Sequence, residues 1–96
     1  MDRLAFAGAV WAYCTAFSGS VTSWVRTVDR NRAVGGAPRS AHLLGLAADV
    51  VYDGARPGPE ADRFLADHGL TRIVEGDHDH VMPLDWRAAD VPDRMV

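Results

Sequence analysis

The run Leu46-Ala47-Ala48-Asp49-Val50-Val51-Tyr52 reads as a β-strand with a carboxylate at its centre. Small apolar and β-branched neighbours place Asp49 where water is scarce. A carboxylate in such a place must be paired, hydrogen-bonded or bound to a cation. Ala47, Asp49 and Val51 share one face of the strand, so the fold has to bring a partner for Asp49 onto that face. With 96 residues in all, the chain has room for one domain and one core.

Composition narrows what that partner is. Cys14 is the only cysteine, which removes an internal disulfide framework and any multi-cysteine zinc knuckle. Cys14 itself, inside an apolar run, is expected to be a small core residue. A metal bound here would have to use imidazole and carboxylate. Every cationic residue is an arginine, the formal net charge is −3 and the pI is near 5.7. That balance lacks the broad basic footprint of a nucleic-acid binder.

The order of local signals predicts an α+β domain, a small, mainly antiparallel sheet with flanking helices. Asp2 is a good N-cap for a helix over Arg3 to Ser18, with Gly19 closing it. The apolar stretch Leu4 to Phe17 is shorter than the about 20 residues of a membrane span. It has the alternative reading of a signal-peptide core, although the flank Met1-Asp2-Arg3 is not net positive. Val21 to Arg26 is β-branched and aromatic and predicts a strand. Thr27 to Arg39 reads as a loop. The strand with Asp49 follows, then a loop over Asp53 to Gly58. Pro59 opens a helix carrying Ala61, Phe64, Leu65 and His68 at helical spacing, and Gly69 ends it. His68 is expected to pack at or cap that helix end. Leu70 to Val74 and Asp77 to Met82 are the third and fourth strands. Gly76 is the turn between them, Pro83 the end of pairing, and Trp86 an anchor for the tail.

Histidine supplies the candidate chemistry. His42 lies in the approach to the Asp49 strand. His78 and His80 are two apart, so both can leave one strand on the same face. Two histidines and a carboxylate make a common catalytic zinc set, with a fourth position left for water. Asp79 points opposite to the histidines and is expected in solvent. Trp24 and Trp86 are expected to pack on the sheet, with lining of a glycan or peptide groove as the alternative.

Ser40-Ala41-His42-Leu43-Leu44-Gly45-Leu46-Ala47-Ala48-Asp49 fits S-x-H-x-x-G-x-A-x-D without a gap, and Asp77-His78-Asp79-His80 fits D-H-x-H. In these motifs the chain resembles the zinc D-alanyl-D-alanine carboxypeptidases and their relatives of the hedgehog/D-Ala-D-Ala peptidase fold, including L-alanyl-D-glutamate endolysins. The stretch Val21 to Arg26 is similar to the family's arginine strand, its usual S-G-aromatic-R reading Ser23-Trp24-Val25-Arg26 here. Asn31 and Gly35-Gly36 match the loop that follows.

The resemblance implies Zn²⁺ bound by His42, Asp49 and His80. It makes Asp77, three before the last ligand, the general base, and sets His78 beside the metal to stabilise the tetrahedral intermediate. Arg26 would face substrate, binding its carboxylate or polarising the scissile carbonyl. Ser40 would hydrogen-bond substrate or hold the His42 loop. The implied substrate is a peptidoglycan stem peptide, cut by D,D-carboxypeptidase or L-Ala-D-Glu endopeptidase action, with a monomer and no nucleic-acid or membrane-spanning partner. The compartment stays open, since a phage-encoded lysin and an exported wall enzyme would both act on the cell wall. A non-catalytic, zinc-containing wall- or peptide-binding module is the alternative. A second frame, Glu75-x-x-His78, has the same spacing. Glu75 precedes the Gly76 turn, which predicts a poorly oriented base, and the first frame is preferred.

Overall fold

Asp2 starts the first helix by accepting a hydrogen bond from the Ala5 amide at 2.7 Å, and α1 runs over Arg3–Phe17 in the computed structural model, which describes residues 1–96. The turn out of α1 differs from expectation. Ser18, not Gly19, takes the left-handed conformation, with φ 54°. Gly19 already begins β1, Gly19–Ser23. A Cβ there would stand 2.8 Å from Val50 Cγ1, so the glycine permits close strand approach and does not serve as a helix stop.

Strand β1 is shorter than predicted and shifted toward the N-terminus. It pairs with β2, Ala48–Tyr52, and its register shifts between Val21 and Ser23. Arg26 therefore lies beyond the strand, in a segment whose backbone N–H donates to the His42 carbonyl at 3.0 Å. The predicted loop that follows contains a helix, α2, Val28–Ala33. Thr27 caps it by accepting from the Arg30 amide, and Asp29 and Arg30/Arg32 sit at the ends the helix dipole favours. It lacks an apolar stripe, so hydrophobic periodicity could not reveal it.

A 3₁₀ turn, Ala41–Leu44, leads into β2. Helix α3, Pro59–Asp67, has proline in its first turn and ends at His68. The ring of His68 stacks on Phe64 and approaches its carbonyl at 2.8 Å. Strands β3, Leu70–Glu75, and β4, His78–Pro83, form a hairpin through Gly76-Asp77. Pro83 closes the pairing opposite Leu70. The sheet order is β1-β2-β4-β3, every neighbouring pair antiparallel, which is the α+β architecture expected. Two short 3₁₀ turns, Ala88–Asp90 and Asp93–Met95, make up the tail. No helix is long and apolar enough to cross a membrane.

The two faces of the sheet differ. Helices α1 and α3 cover one face, where Phe6, Val10, Tyr13, Ala61 and Leu65 meet Ala48, Val50, Leu70 and Val81. Helix α1 is thus an integral part of the core. Alternation along β2 and β4 sends Asp49, His78 and His80 to the other face. It also sends Asp79 into the helix-covered side, where it is fully buried, contrary to the solvated position expected. Asp79 accepts from Arg56 Nε at 2.8 Å, Arg72 Nη1 at 2.9 Å and the Tyr52 hydroxyl at 2.7 Å. The Tyr13 and Tyr52 hydroxyls are 2.6 Å apart. These contacts tie β2, β3, β4 and the 53–58 loop together directly behind the histidine face.

Candidate metal centre

Three elements bring the donors to one place. The Ser40 hydroxyl oxygen accepts from the His42 amide at 3.2 Å and caps the 3₁₀ turn that carries His42. Asp49 and His80 are direct cross-strand partners on β2 and β4. Asp49 Oδ1 lies 3.1 Å from His42 Nε2 and 3.4 Å from His80 Nδ1. One donor atom from each residue lies within 4.8 Å of the others, a spacing that allows all three to hold one ion.

The chemistry of this donor set fits a cation. His42 Nδ1 is 2.5 Å from the Trp24 carbonyl oxygen, an acceptor only, so Nδ1 carries a proton and donates. Burial pushes the His42 ring below its usual range, against the raising effects of the Trp24 carbonyl and Asp49. In the neutral ring Nε2 is then a lone pair, facing a carboxylate oxygen at 3.1 Å. Two acceptors turned on each other in a dry site need a positive charge between them. A backbone carbonyl on the far nitrogen is also the usual way to orient a metal-binding imidazole. His42, Asp49 and His80 meet the donor requirement of Zn²⁺ without cysteine.

Arg26 completes Asp49. Its Nη2 donates to Asp49 Oδ2 at 3.1 Å, its Nη1 to Asn31 Oδ1 at 3.3 Å and its Nε to Ser23 Oγ at 3.3 Å. Oδ2 is thereby occupied and Oδ1 is turned to the histidines. Buried Asn31 also donates to the Ala37 carbonyl at 2.8 Å. A Cβ on Gly36 would lie 2.0 Å from Asn31 Oδ1, so glycine is obligatory there. Asn31 is a supporting residue whose packing role carries no signal in its own neighbourhood of sequence.

The cluster opens into a cavity of about 530 Å³ lined by Arg26, Ser40, Glu75 and His78 and, on the tail side, by Arg39 and Trp86. Trp86 was expected to pack on the sheet and instead forms part of this wall. Trp24 lines a separate apolar groove beside α1, and its indole N–H donates to the Gly45 carbonyl at 2.8 Å. His78 sits between carboxylates. Its Nδ1 is 3.0 Å from Asp77 Oδ1, and its Nε2 is 3.4 Å from Glu75 Oε2 and 3.9 Å from Asp49 Oδ1. The Asp77 hydrogen bond raises the His78 ring above its usual range, aided by the Asp49 and Glu75 charges.

The two candidate bases fall differently from expectation. Asp77 is in the exposed hairpin turn and does not line the cavity, whereas Glu75, expected to be misdirected by Gly76, does line it. The physical reason is register. Glu75 pairs with His78 as the last rung of the hairpin, so its side chain is set by the ladder and the turn begins only after it.

No curated protein and no solved structure matches the chain. The Peptidase M15 family matches residues 12–85, a span that runs from within α1 past β4 and holds the whole His42–Asp49–His80 cluster. The chain belongs to this family of metallopeptidases.

Proposed function

We propose that the protein is a zinc-dependent peptidase that hydrolyses peptidoglycan stem peptides, as a D,D-carboxypeptidase or an L-Ala-D-Glu endopeptidase. The observation that carries the proposal is the convergence of His42, Asp49 and His80 at the floor of an open cavity. Zn²⁺ held by these residues supplies Lewis acidity, polarising a scissile carbonyl and lowering the pKa of a water.

The remaining steps belong to side chains. Asp77 is assigned the attacking water's proton, on the strength of its three-residue spacing from His80. Its exposed side chain has freedom to rotate, and catalytic contacts are often loose before substrate binds. The second candidate is Glu75, favoured by its place on the cavity wall. His78, whose ring the Asp77 hydrogen bond raises above its usual range, lines the cavity as a donor for the negative charge that develops on the carbonyl oxygen. Arg26 adds positive charge beside it while orienting Asp49. Ser40 keeps its own O–H proton free to donate to substrate, because its oxygen accepts from the His42 amide.

Digestion of purified sacculi by zinc-loaded protein, with mass spectrometry of the released termini, tests this reading. New amine termini or free D-alanine are expected. Sacculus binding with no cleavage at any pH near neutrality would replace it with the non-catalytic binding module.

A further inference from the structure

We infer that Arg39 is the cavity's anchor for a substrate carboxylate, so that the peptide taken here carries a free C-terminus close to the scissile bond. This rests on the peptidase reading and adds the chemical end by which substrate is held.

Two arginines line the cavity, Arg26 and Arg39. Arg26 is committed, each of its three guanidinium nitrogens donating to a protein acceptor, and its side chain is 16% exposed. A substrate carboxylate there would compete with Asp49 for the group that orients it. Arg39 differs in each respect. Its Nη1 donates to the Val91 carbonyl at 2.7 Å, and Val91 is buried, so the guanidinium is fixed from below. Its Nη2 is paired with the Asp93 carboxylate, whose side chain is 92% exposed. A pair so open to water is worth about 0–1 kcal/mol, and an incoming carboxylate can replace Asp93 at little cost. Asp93 also shows that this edge of the guanidinium accepts a carboxylate. The fixed, planar fork is the group suited to two-point carboxylate recognition. Ser40 follows in sequence and adds a hydroxyl to the same cavity lining. Glu75, on the β3–β4 side, sets an opposing charge that disfavours the reverse orientation of the peptide.

The experiment compares an N-acetylated peptide ending in D-Ala-D-Ala with its C-terminal amide, by kcat/KM on zinc-loaded protein. Wild type should prefer the free acid by at least about tenfold, the scale of a charged hydrogen bond. Arg39→Gln should bring the ratio close to one, and Arg39→Lys should recover part of it. A variant that merely folds poorly loses both activities together, so the ratio is read on Arg39→Gln protein whose zinc loading and thermal midpoint match wild type. Asp93→Asn should lower KM for the free acid about 2–5-fold, the competing carboxylate being gone. A wild-type ratio near one, or a ratio that survives Arg39→Gln, overturns the assignment while leaving the peptidase intact. If wild type cleaves neither peptide, the D,D-carboxypeptidase form of the reading fails and binding decides the anchor. Calorimetric titration with acetylated D-alanine-terminated peptide should then show binding to wild type and at least tenfold weaker binding to Arg39→Gln. Equal binding by both overturns the assignment.

Discussion

His42 Nε2 faces Asp49 Oδ1 at 3.1 Å while the opposite nitrogen of the same ring donates to the Trp24 carbonyl at 2.5 Å. The tautomer is therefore set by the backbone, and a lone pair is directed at a carboxylate in a dry site. That arrangement is costly until a cation enters. Zn²⁺ should raise the thermal midpoint, because binding to a site absent from the unfolded chain adds to folding stability. His42→Ala, Asp49→Ala and His80→Ala should each abolish stoichiometric zinc in metal analysis after desalting. His78→Ala should retain it. A fully loaded His80→Ala protein would transfer the third ligand to His78.

Arg26 should act on the metal without touching it. With Oδ2 of Asp49 bound to Arg26, the carboxylate cannot rotate freely about its donor position. Partners of this kind typically contribute 10–100-fold to metal affinity. Arg26→Gln should therefore weaken zinc binding by about that factor in chelator competition. Unchanged affinity would free Arg26 for the substrate role that its motif implies.

The Asp77–His78 pair predicts a titration. The hydrogen bond that His78 Nδ1 donates to Asp77 lifts the imidazole above its usual range, and the same bond holds the Asp77 carboxyl below its own. A histidine raised by folding contributes stability that is complete below about 6.5 and is lost as pH rises through its raised value. A lowered aspartate contributes above 3.8 and loses that contribution as pH falls through its lowered value. The pair thus supports the fold between those two limits. In metal-free protein, the imidazole proton resonances of His78 should titrate above 6.5, and Asp77→Asn should move the midpoint down. An unmoved midpoint would assign the shift to Glu75 and Asp49.

Asp79→Ala should be among the most destabilising substitutions in the sheet. It would remove the fully buried counter-charge of Arg72, whose side chain is 6% exposed and would keep only the exposed Asp62 carboxylate as an ion partner, and it would strip the Tyr52 hydroxyl and Arg56 Nε of their acceptor. Removing one partner of such a pair costs about 3–5 kcal/mol, readable in urea denaturation. Because Val50–Asp79 and Asp49–His80 are consecutive cross-strand pairs, zinc affinity should fall with stability. A loss under about 1 kcal/mol, the range of an exposed pair, would show that the network behind the histidines does not hold the sheet.

The metal cluster was legible in the sequence because its residues obey short-range rules. Asp49 is anomalous in its own strand, and the i, i+2 spacing of His78 and His80 fixes a shared face. Long-range facts were not legible. Alternation put Asp79 opposite His78 and His80, but nothing local says which face the helices cover, and Asp79 proved to be on the covered one. Helix α2 was hidden because it buries Asn31 instead of an apolar stripe. Arg26 was read as a strand residue because Val21 to Arg26 has strand composition, whereas the register shift between Val21 and Ser23 and the hydrogen bond to the His42 carbonyl release it from the ladder. Arg39 and Trp86 share a cavity only because the tail folds back, with Val91 as its buried foothold.

The final prediction concerns the proton acceptor, where sequence spacing and cavity lining point to different carboxylates. Asp77 stands three residues before His80, as the motif requires, but in the exposed turn. Glu75 lies on the wall, 3.4 Å from His78. Both carboxylates are paired with His78, Asp77 Oδ1 at 3.0 Å from Nδ1 and Glu75 Oε2 at 3.4 Å from Nε2, so the choice of Asp77 rests on the motif spacing and on its freedom to turn. Asp77 is held by that one contact and is otherwise exposed, so its side chain can turn toward the cavity. Asp77→Asn should keep zinc and lose about 10²–10⁴-fold in kcat, the usual contribution of a general base. Glu75→Gln should keep zinc and cost under about tenfold, with its effect chiefly on KM. Zinc loading separates both from ligand loss, and the pH–rate profile separates them from each other. The acidic limb of kcat/KM should vanish in Asp77→Asn and persist in Glu75→Gln. If the limb vanishes in Glu75→Gln instead, the wall carboxylate is the base and Asp77 serves only to hold His78.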